Sequence, residues 1–149
     1  SRGYKLIIKN KKIIILFLIL IAAAISVFMF GKQLTQLIKE KPPNAQFDLK
    51  EYDFGKIRKI DGVVSKDFVL TNVGGEKLII GDITTSCSCT SAKIDKKEII
   101  SKEAVIMKVD FDPNFHEEPK GRFSRSVYVP TNDPDNKEIE LKIFVEIYE

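Results

Sequence analysis

The sequence IELKIFVEIY at positions 139–148 shows the clearest structural pattern in the chain. Its odd-numbered positions are all apolar: Ile139, Leu141, Ile143, Val145 and Ile147. The positions between them are charged, polar or aromatic. Successive side chains of a β-strand point to opposite faces, so this alternation predicts a strand with one apolar face. Such a strand serves either as part of a core or as an edge that pairs with a partner.

Similar runs recur upstream and are separated by turn residues. The further strand candidates are residues 63–71, 77–84, 105–111 and 123–129, with weaker ones at 46–54 and 90–94. Gly, Asn, Asp and Pro cluster between them, which is the chemistry of turns. About seven short strands with turns every 8–12 residues predict an all-β fold, a β-sandwich over residues 46–149.

Residues 13–30 read IIILFLILIAAAISVFMF, without a single charge. As a helix at about 1.5 Å per residue this segment spans roughly 27 Å, close to the hydrocarbon thickness of a bilayer. A buried helix of a soluble protein would show a polar stripe, and none is present. The sequence therefore predicts a single transmembrane anchor over residues 13–31, with side chains such as Ile13, Leu20 and Phe30 in the lipid bilayer.

A cleaved signal peptide is the alternative, because the run Ala22-Ala23-Ala24 resembles a cleavage site. The apolar run continues beyond it to Phe30, which favours the anchor. Basic residues in the segment 1–12 predict a cytoplasmic N-terminus by the positive-inside rule. Residues 32–45 then form a short tether, and the domain at 46–149 lies in a periplasm or an extracellular space.

The charge distribution argues against nucleic-acid binding. The sequence has 24 Lys and Arg residues against 21 Asp and Glu, a net charge of +3. Five of the basic residues lie in residues 1–31, which contain no acid. Residues 32–149 therefore hold 19 basic and 21 acidic residues, whereas a nucleic-acid-binding domain needs a positive face.

Six motifs carry a resemblance to a known family. In order they are YDFGKI (52–57), FVLTNVG (68–74), SCSCT (86–90), VDFDP (109–113), GRF (121–123) and VYVPTNDP (127–134). Over residues 46–148 the chain resembles the bacterial domain of unknown function 1573. One departure is Ser88, which stands where that family usually has Gly.

The resemblance implies an immunoglobulin-like antiparallel β-sandwich. The family is similar in architecture to the domains of Hydin and major sperm protein. Those eukaryotic domains are protein-interaction modules, so the resemblance implies binding to other proteins as the function, by analogy of fold.

The motif Cys87-Ser88-Cys89 is the one reactive-looking sequence, and four readings of it stay open. In an extended strand the two Cα atoms would be about 6.6 Å apart. Disulfides span about 4.4–6.8 Å, so a disulfide here is near its limit and strained unless the chain bends. The other readings are a redox-active pair, a copper(I) site, and packed thiols. No cofactor is expected.

Three other polar groups favour structural roles over catalysis. His116 lies in a loop between two strands, and nothing in the sequence brings it near the cysteines. Asp110 faces solvent and Asp112 caps a turn, rather than forming a hydrolytic pair. Residues 132–136 (NDPDN) are rich in oxygen ligands, but turn chemistry explains them better than calcium binding. The sequence therefore predicts a protein that is not an enzyme.

Lys120, Arg122 and Arg125 form the one basic cluster of the domain, a possible interaction surface. The combined features predict a membrane-anchored extracytoplasmic interaction module, an accessory or structural subunit of a larger membrane complex. Its partners are the lipid bilayer and other membrane or periplasmic subunits. The alternative is a thiol redox or copper-handling protein acting through Cys87 and Cys89.

Overall fold

The computed structural model describes residues 2–37, 40–117 and 120–148. The chain divides into two compact units, Ser1–Lys39 and Glu40–Glu149. The first unit is the helix α1 (Arg2–Leu37). Within it, the 21 residues Ile13–Gln33 are long and apolar enough to cross a membrane. Ile13, Leu20 and Phe30 are all exposed on this helix. Its length and composition fit a membrane anchor and a signal sequence alike.

The described residues of the second unit form ten strands and one short 3-10 helix. The strands are β1 (Ala45–Phe47), β2 (Glu51–Ile57), β3 (Val64–Asn72), β4 (Leu78–Ile79), β5 (Thr84–Thr85), β6 (Thr90–Ile94), β7 (Glu98–Ile99), β8 (Ala104–Phe111), β9 (Gly121–Pro130) and β10 (Glu138–Ile147). The 3-10 helix, Lys59–Asp61, lies between β2 and β3.

Two four-stranded sheets confirm the predicted all-β sandwich. One has the order β1-β3-β8-β6 and the other β2-β10-β9-β5, while β4 and β7 form a separate pair. Every pairing is antiparallel except that of β10 with β2, which run parallel. Strand β10 lies between β9 and β2. The alternative prediction, that this strand is an edge that pairs with a partner, is therefore wrong.

The core lies between the inward faces of the two sheets. Along β10 the odd-numbered residues are buried, as the alternation predicts. Their counterparts on the facing sheet include Phe68 and Leu70 of β3 and Met107 of β8, all with no exposed surface. Each such side chain stabilises the fold by about 1.5–3 kcal/mol relative to an exposed position.

Two predicted strands are divided because the chain changes sheets within them. Residues 46–54 contain β1, which pairs with β3, and β2, which pairs with β10. The side chain of Asp48 stabilises the chain between β1 and β2, because its Oδ1 accepts the N–H of Val69 at 2.9 Å. Residues 77–84 are divided in the same way, since β4 pairs with β7 and β5 with β9.

The segment before β1 packs on the turn that follows β3. The carbonyl of Lys41 accepts the N–H groups of Gly75 and Glu76 at 3.0 and 2.9 Å. Asn72 is fully buried, and its side-chain Oδ1 accepts the N–H of Gly74 at 3.0 Å. A Cβ atom at Gly74 would lie 2.2 Å from a backbone oxygen of this segment, which explains glycine in the motif TNVG.

Candidate functional site

The two cysteines lie in a tight turn where the chain crosses from one sheet to the other. The turn follows β5 and ends at the first residue of β6, and the N–H of Thr90 donates to the carbonyl of Cys87 at 3.0 Å. This bend brings the two Cα atoms to 5.2 Å, and a disulfide joins Cys87 to Cys89. Cys89 is buried and Cys87 is half-buried.

His116 lies beside this disulfide, a contact that the sequence did not indicate. The loop that carries it follows β8 and is attached to the turn, because the N–H of Asp112 donates to the carbonyl of Cys89 at 2.8 Å. The Nε2 atom of His116 is 3.8 Å from the Sγ atom of Cys87. The imidazole itself is exposed, as predicted for a loop residue, and contacts the ring of Phe115 edge-on.

Arg125 approaches the disulfide from β9, the strand that pairs with β5. It lies on the inward face of β9, and its Nε–H donates to the Sγ atom of Cys89 at 3.3 Å. The guanidinium stacks on the ring of Phe123 at 4.3 Å from the centroid, a cation–π contact that fixes its position. A positive charge therefore lies against one sulfur, and an imidazole against the other.

The structure does not bring Lys120, Arg122 and Arg125 together as one basic surface. Arg122 and Arg125 are three residues apart in a strand, so they project from opposite faces of β9. Arg122 forms an exposed ion pair with Asp53 at 2.7 Å, and its guanidinium lowers the pKa of that carboxyl by donating a hydrogen bond to it. Lys120 is exposed just before β9.

The remaining candidates have structural partners. Asp110 accepts a hydrogen bond from the hydroxyl of Ser65 at 2.6 Å, across the β3–β8 pair. Asp112 caps its turn by accepting the N–H of Asn114 at 2.8 Å. In the NDPDN segment, Asp133 is fully buried and accepts the N–H of Ala45 at 2.9 Å, which joins β1 to the turn between β9 and β10.

The chemistry available at the turn is that of sulfur and imidazole. The Sγ atoms of Cys87 and Cys89 and a ring nitrogen of His116 all lie within 4.8 Å of one another. Among the described residues these three form the one group of potential metal ligands of this size. The adjoining surface depression is lined by Val63, Ser88, Cys89, Ser91, Asp110, Asp112 and Phe115.

The fold and the disulfide-bonded turn define a small β-sandwich domain with a paired-cysteine turn. The chain belongs to the family described as protein of unknown function (DUF1573), whose model matches residues 45–147. This match confirms the resemblance based on the six sequence motifs. The comparison with Hydin and major sperm protein stays a prediction. No curated protein matches the chain.

Solved structures share the fold at low sequence identity. A protein of unknown function from Porphyromonas gingivalis W83 is 20% identical with a TM-score of 0.64, over 71% of this chain and 47% of that one. The periplasmic chaperone SfaE is 9% identical with a TM-score of 0.51, over 71% and 58%. A PapD-like domain of human CEP192 is 8% identical with a TM-score of 0.51, over 72% and 87%. This chain thus spans about half the length of the Porphyromonas protein, and the likeness establishes the fold alone.

Proposed function

We propose that this protein is a membrane-anchored, extracytoplasmic interaction module, an accessory or structural subunit of a larger membrane complex. The span Ile13–Gln33 supplies the anchor, and the β-sandwich beginning at Glu40 supplies the binding domain. The basic segment before the span supports a cytoplasmic N-terminus. Similarity in fold to a periplasmic chaperone supports a role in binding protein rather than in catalysis.

An exposed apolar surface at one end of the sandwich carries this proposal. Ile60, Val63 and Phe115 are 85%, 54% and 57% exposed. Their two loops are joined, because the side-chain amide of Asn114 donates to the carbonyl of Lys59 at 2.8 Å. Exposed large apolar side chains on loops joined in this way are typical of protein-binding surfaces. We call these three residues the loop patch.

The edge formed by β2 is less suited to binding a partner strand. The outer strand β2 is interrupted by a shift of register opposite residues 144 and 146 of β10. Gly55, with φ of 69°, occupies this irregularity, and charged residues such as Asp53 lie beside it. Bulges and charges of this kind protect an edge from pairing. The partner therefore binds the loop patch rather than adding a strand beside β2.

The test is purification of the full chain from its native membranes in mild detergent, followed by intact-complex mass determination. We expect a stoichiometric membrane protein to co-purify with the wild type. The triple variant Ile60→Ser, Val63→Thr, Phe115→Ser should lose it, since the substitutions remove the apolar contact area. A monodisperse monomer from wild-type membranes would overturn the proposal.

A matched control separates the loop patch from general surface hydrophobicity. Ile79 and Ile100 are 47% and 60% exposed on another part of the domain. The double variant Ile79→Ser, Ile100→Ser should keep the partner. If both variants lose it, or both keep it, the loop patch is not the binding surface.

A further inference from the structure

Both cysteines and the one histidine of the sequence meet at a single turn. The counts are two Cys and one His in 149 residues. His116 is 29 positions from Cys87, yet its Nε2 atom lies 3.8 Å from the Cys87 Sγ atom. Tertiary structure alone brings them together, because the loop after β8 is hydrogen-bonded to the cysteine turn.

The donor set is chemically soft and has three members. It consists of two sulfur atoms and one imidazole nitrogen, with no carboxylate in the group. Thiolates and imidazole suit copper(I), whereas Mg²⁺ and Ca²⁺ require oxygen ligands. Structural zinc sites use four protein ligands, one more than this turn supplies. The set therefore favours a monovalent soft metal ion.

Two further contacts favour binding of such an ion at this site. Arg125 places its guanidinium 3.3 Å from the Cys89 sulfur, which offsets the negative charge that two thiolate ligands bring. Phe115 contacts the His116 ring edge-on, with 5.8 Å between the ring centroids, and so restricts its orientation. Cys89 is buried while His116 is exposed, so the site is open to solvent on the imidazole side.

We propose that Cys87, Cys89 and His116 form a copper(I) site that the disulfide closes and that a dithiol reductant opens. In the oxidised form both sulfurs are bonded to each other and supply no thiolate. A dithiol gives two electrons and two protons to the disulfide, which yields two cysteine thiols and the cyclic disulfide of the reductant. Copper(I) then forms two Cu–S bonds and one Cu–N bond, and the two thiol protons pass to solvent. This proposal does not rest on the interaction function, although Phe115 of the loop patch also contacts His116.

The experiment measures copper(I) binding by the full chain in detergent micelles without oxygen. One sample is reduced with dithiothreitol and desalted, and the other is kept oxidised. Copper(I) is supplied as its complex with the chromophoric chelator bicinchoninate, and transfer to the protein is followed by loss of absorbance. We expect one copper(I) per reduced chain and none per oxidised chain.

Variants separate a three-ligand site from adventitious thiol binding. Replacing a residue that only orients a metal ligand typically costs 10–100-fold in metal affinity. His116 is a direct ligand in this proposal, so His116→Gln should weaken copper(I) binding by at least about 10-fold. Its imidazole is exposed, so the fold should be retained. The paired variant Cys87→Ser, Cys89→Ser should bind no copper. Ser88→Ala, an exposed non-ligand in the same turn, is the matched control and should bind like the wild type.

Several results would overturn the proposal. They are equal binding by oxidised and reduced chains, failure of the reduced chain to compete with the chelator, and unchanged affinity in His116→Gln. Tighter binding of Zn²⁺ than of copper(I) by the reduced chain would also reject it.

Discussion

Asp133 is expected to be the most important single carboxylate for the stability of the sandwich. It is fully buried, and its Oδ2 atom accepts the N–H of Ala45 at 2.9 Å and the side-chain amide of Asn136 at 3.0 Å. Its Oδ1 atom accepts the N–H of Asp135 at 2.9 Å. The carboxylate thus fastens β1 to the turn between β9 and β10.

The substitution Asp133→Asn leaves one oxygen where the carboxylate had two. If that oxygen takes the Oδ2 position, the N–H of Asp135 faces an NH₂ group and loses its acceptor. One hydrogen bond to a charged group is worth about 1.5–3 kcal/mol, and the two that remain become weaker neutral bonds. We therefore expect a loss of about 2–4 kcal/mol in the free energy of unfolding. For a 110-residue unit this lowers Tm by roughly 8–17 °C.

The same carboxylate gives stability a dependence on acid pH. Burial acts to raise the pKa of Asp133, but the hydrogen bonds from Ala45, Asn136 and Asp135 outweigh it and hold the pKa below its ordinary value. The unfolded chain therefore takes up the proton first as the pH falls. The stabilisation is complete above the unfolded pKa of about 3.9 and is lost as the pH falls through the lower, folded value. The difference between wild type and Asp133→Asn should accordingly shrink below about pH 4.

The assay is urea unfolding of the full chain in detergent micelles, followed by tyrosine fluorescence at pH 7 and at steps down to pH 3. Asp135→Asn is the matched control, since its side chain is exposed and only its backbone N–H makes the bond. The control should stay within about 0.5 kcal/mol of wild type. Equal stability of Asp133→Asn and Asp135→Asn at pH 7, or a difference that persists unchanged at pH 3, would refute this reasoning.

Two further substitutions test the packing and the surface. Gly74→Ala places a Cβ atom 2.2 Å from the carbonyl oxygen of Pro42, so the backbone must move, and we expect a loss of more than about 2 kcal/mol in the same urea assay. Gly81→Ala, whose Cβ would lie nearest to the side chain of Pro130, at 3.0 Å, should cost clearly less, and equal losses would contradict the argument. Arg122→Ala breaks an exposed ion pair with Asp53 and should change the free energy of unfolding by less than about 1 kcal/mol. A larger loss of stability in a thermal melt would contradict this expectation.

Strand periodicity was readable from the sequence because it is a local property. The alternation at residues 139–148 appears as a strand with every second residue buried. The divisions within residues 46–54 and 77–84 were missed, since each half is compatible with a strand on its own. Which sheet each half joins depends on partners far along the chain, such as Phe47 with Leu70.

The candidate site also combines local features, which the sequence shows, with long-range contacts, which it does not. The spacing of Cys87 and Cys89 marked the pair as reactive, and the distance that a disulfide spans indicated strain in a disulfide without a bend. The separation of Arg122 from Arg125 followed from strand alternation, a local rule, once β9 was known to be a strand with Val127 in the core. The approach of His116 and Arg125 to the disulfide had no sequence signal, because those contacts join residues 29 and 36 positions apart.

By itself the sequence determined the apolar helix, the β class of the domain and the family, because these rest on composition, short periodicities and motifs within single segments. The tertiary structure alone decided that β10 lies inside a sheet beside a parallel β2, and that one imidazole and one guanidinium flank the cysteine pair. The physical reason is that strand order and loop contacts are fixed by the packing of two apolar faces. That packing consists of contacts between residues distant in sequence, and no local pattern encodes those contacts.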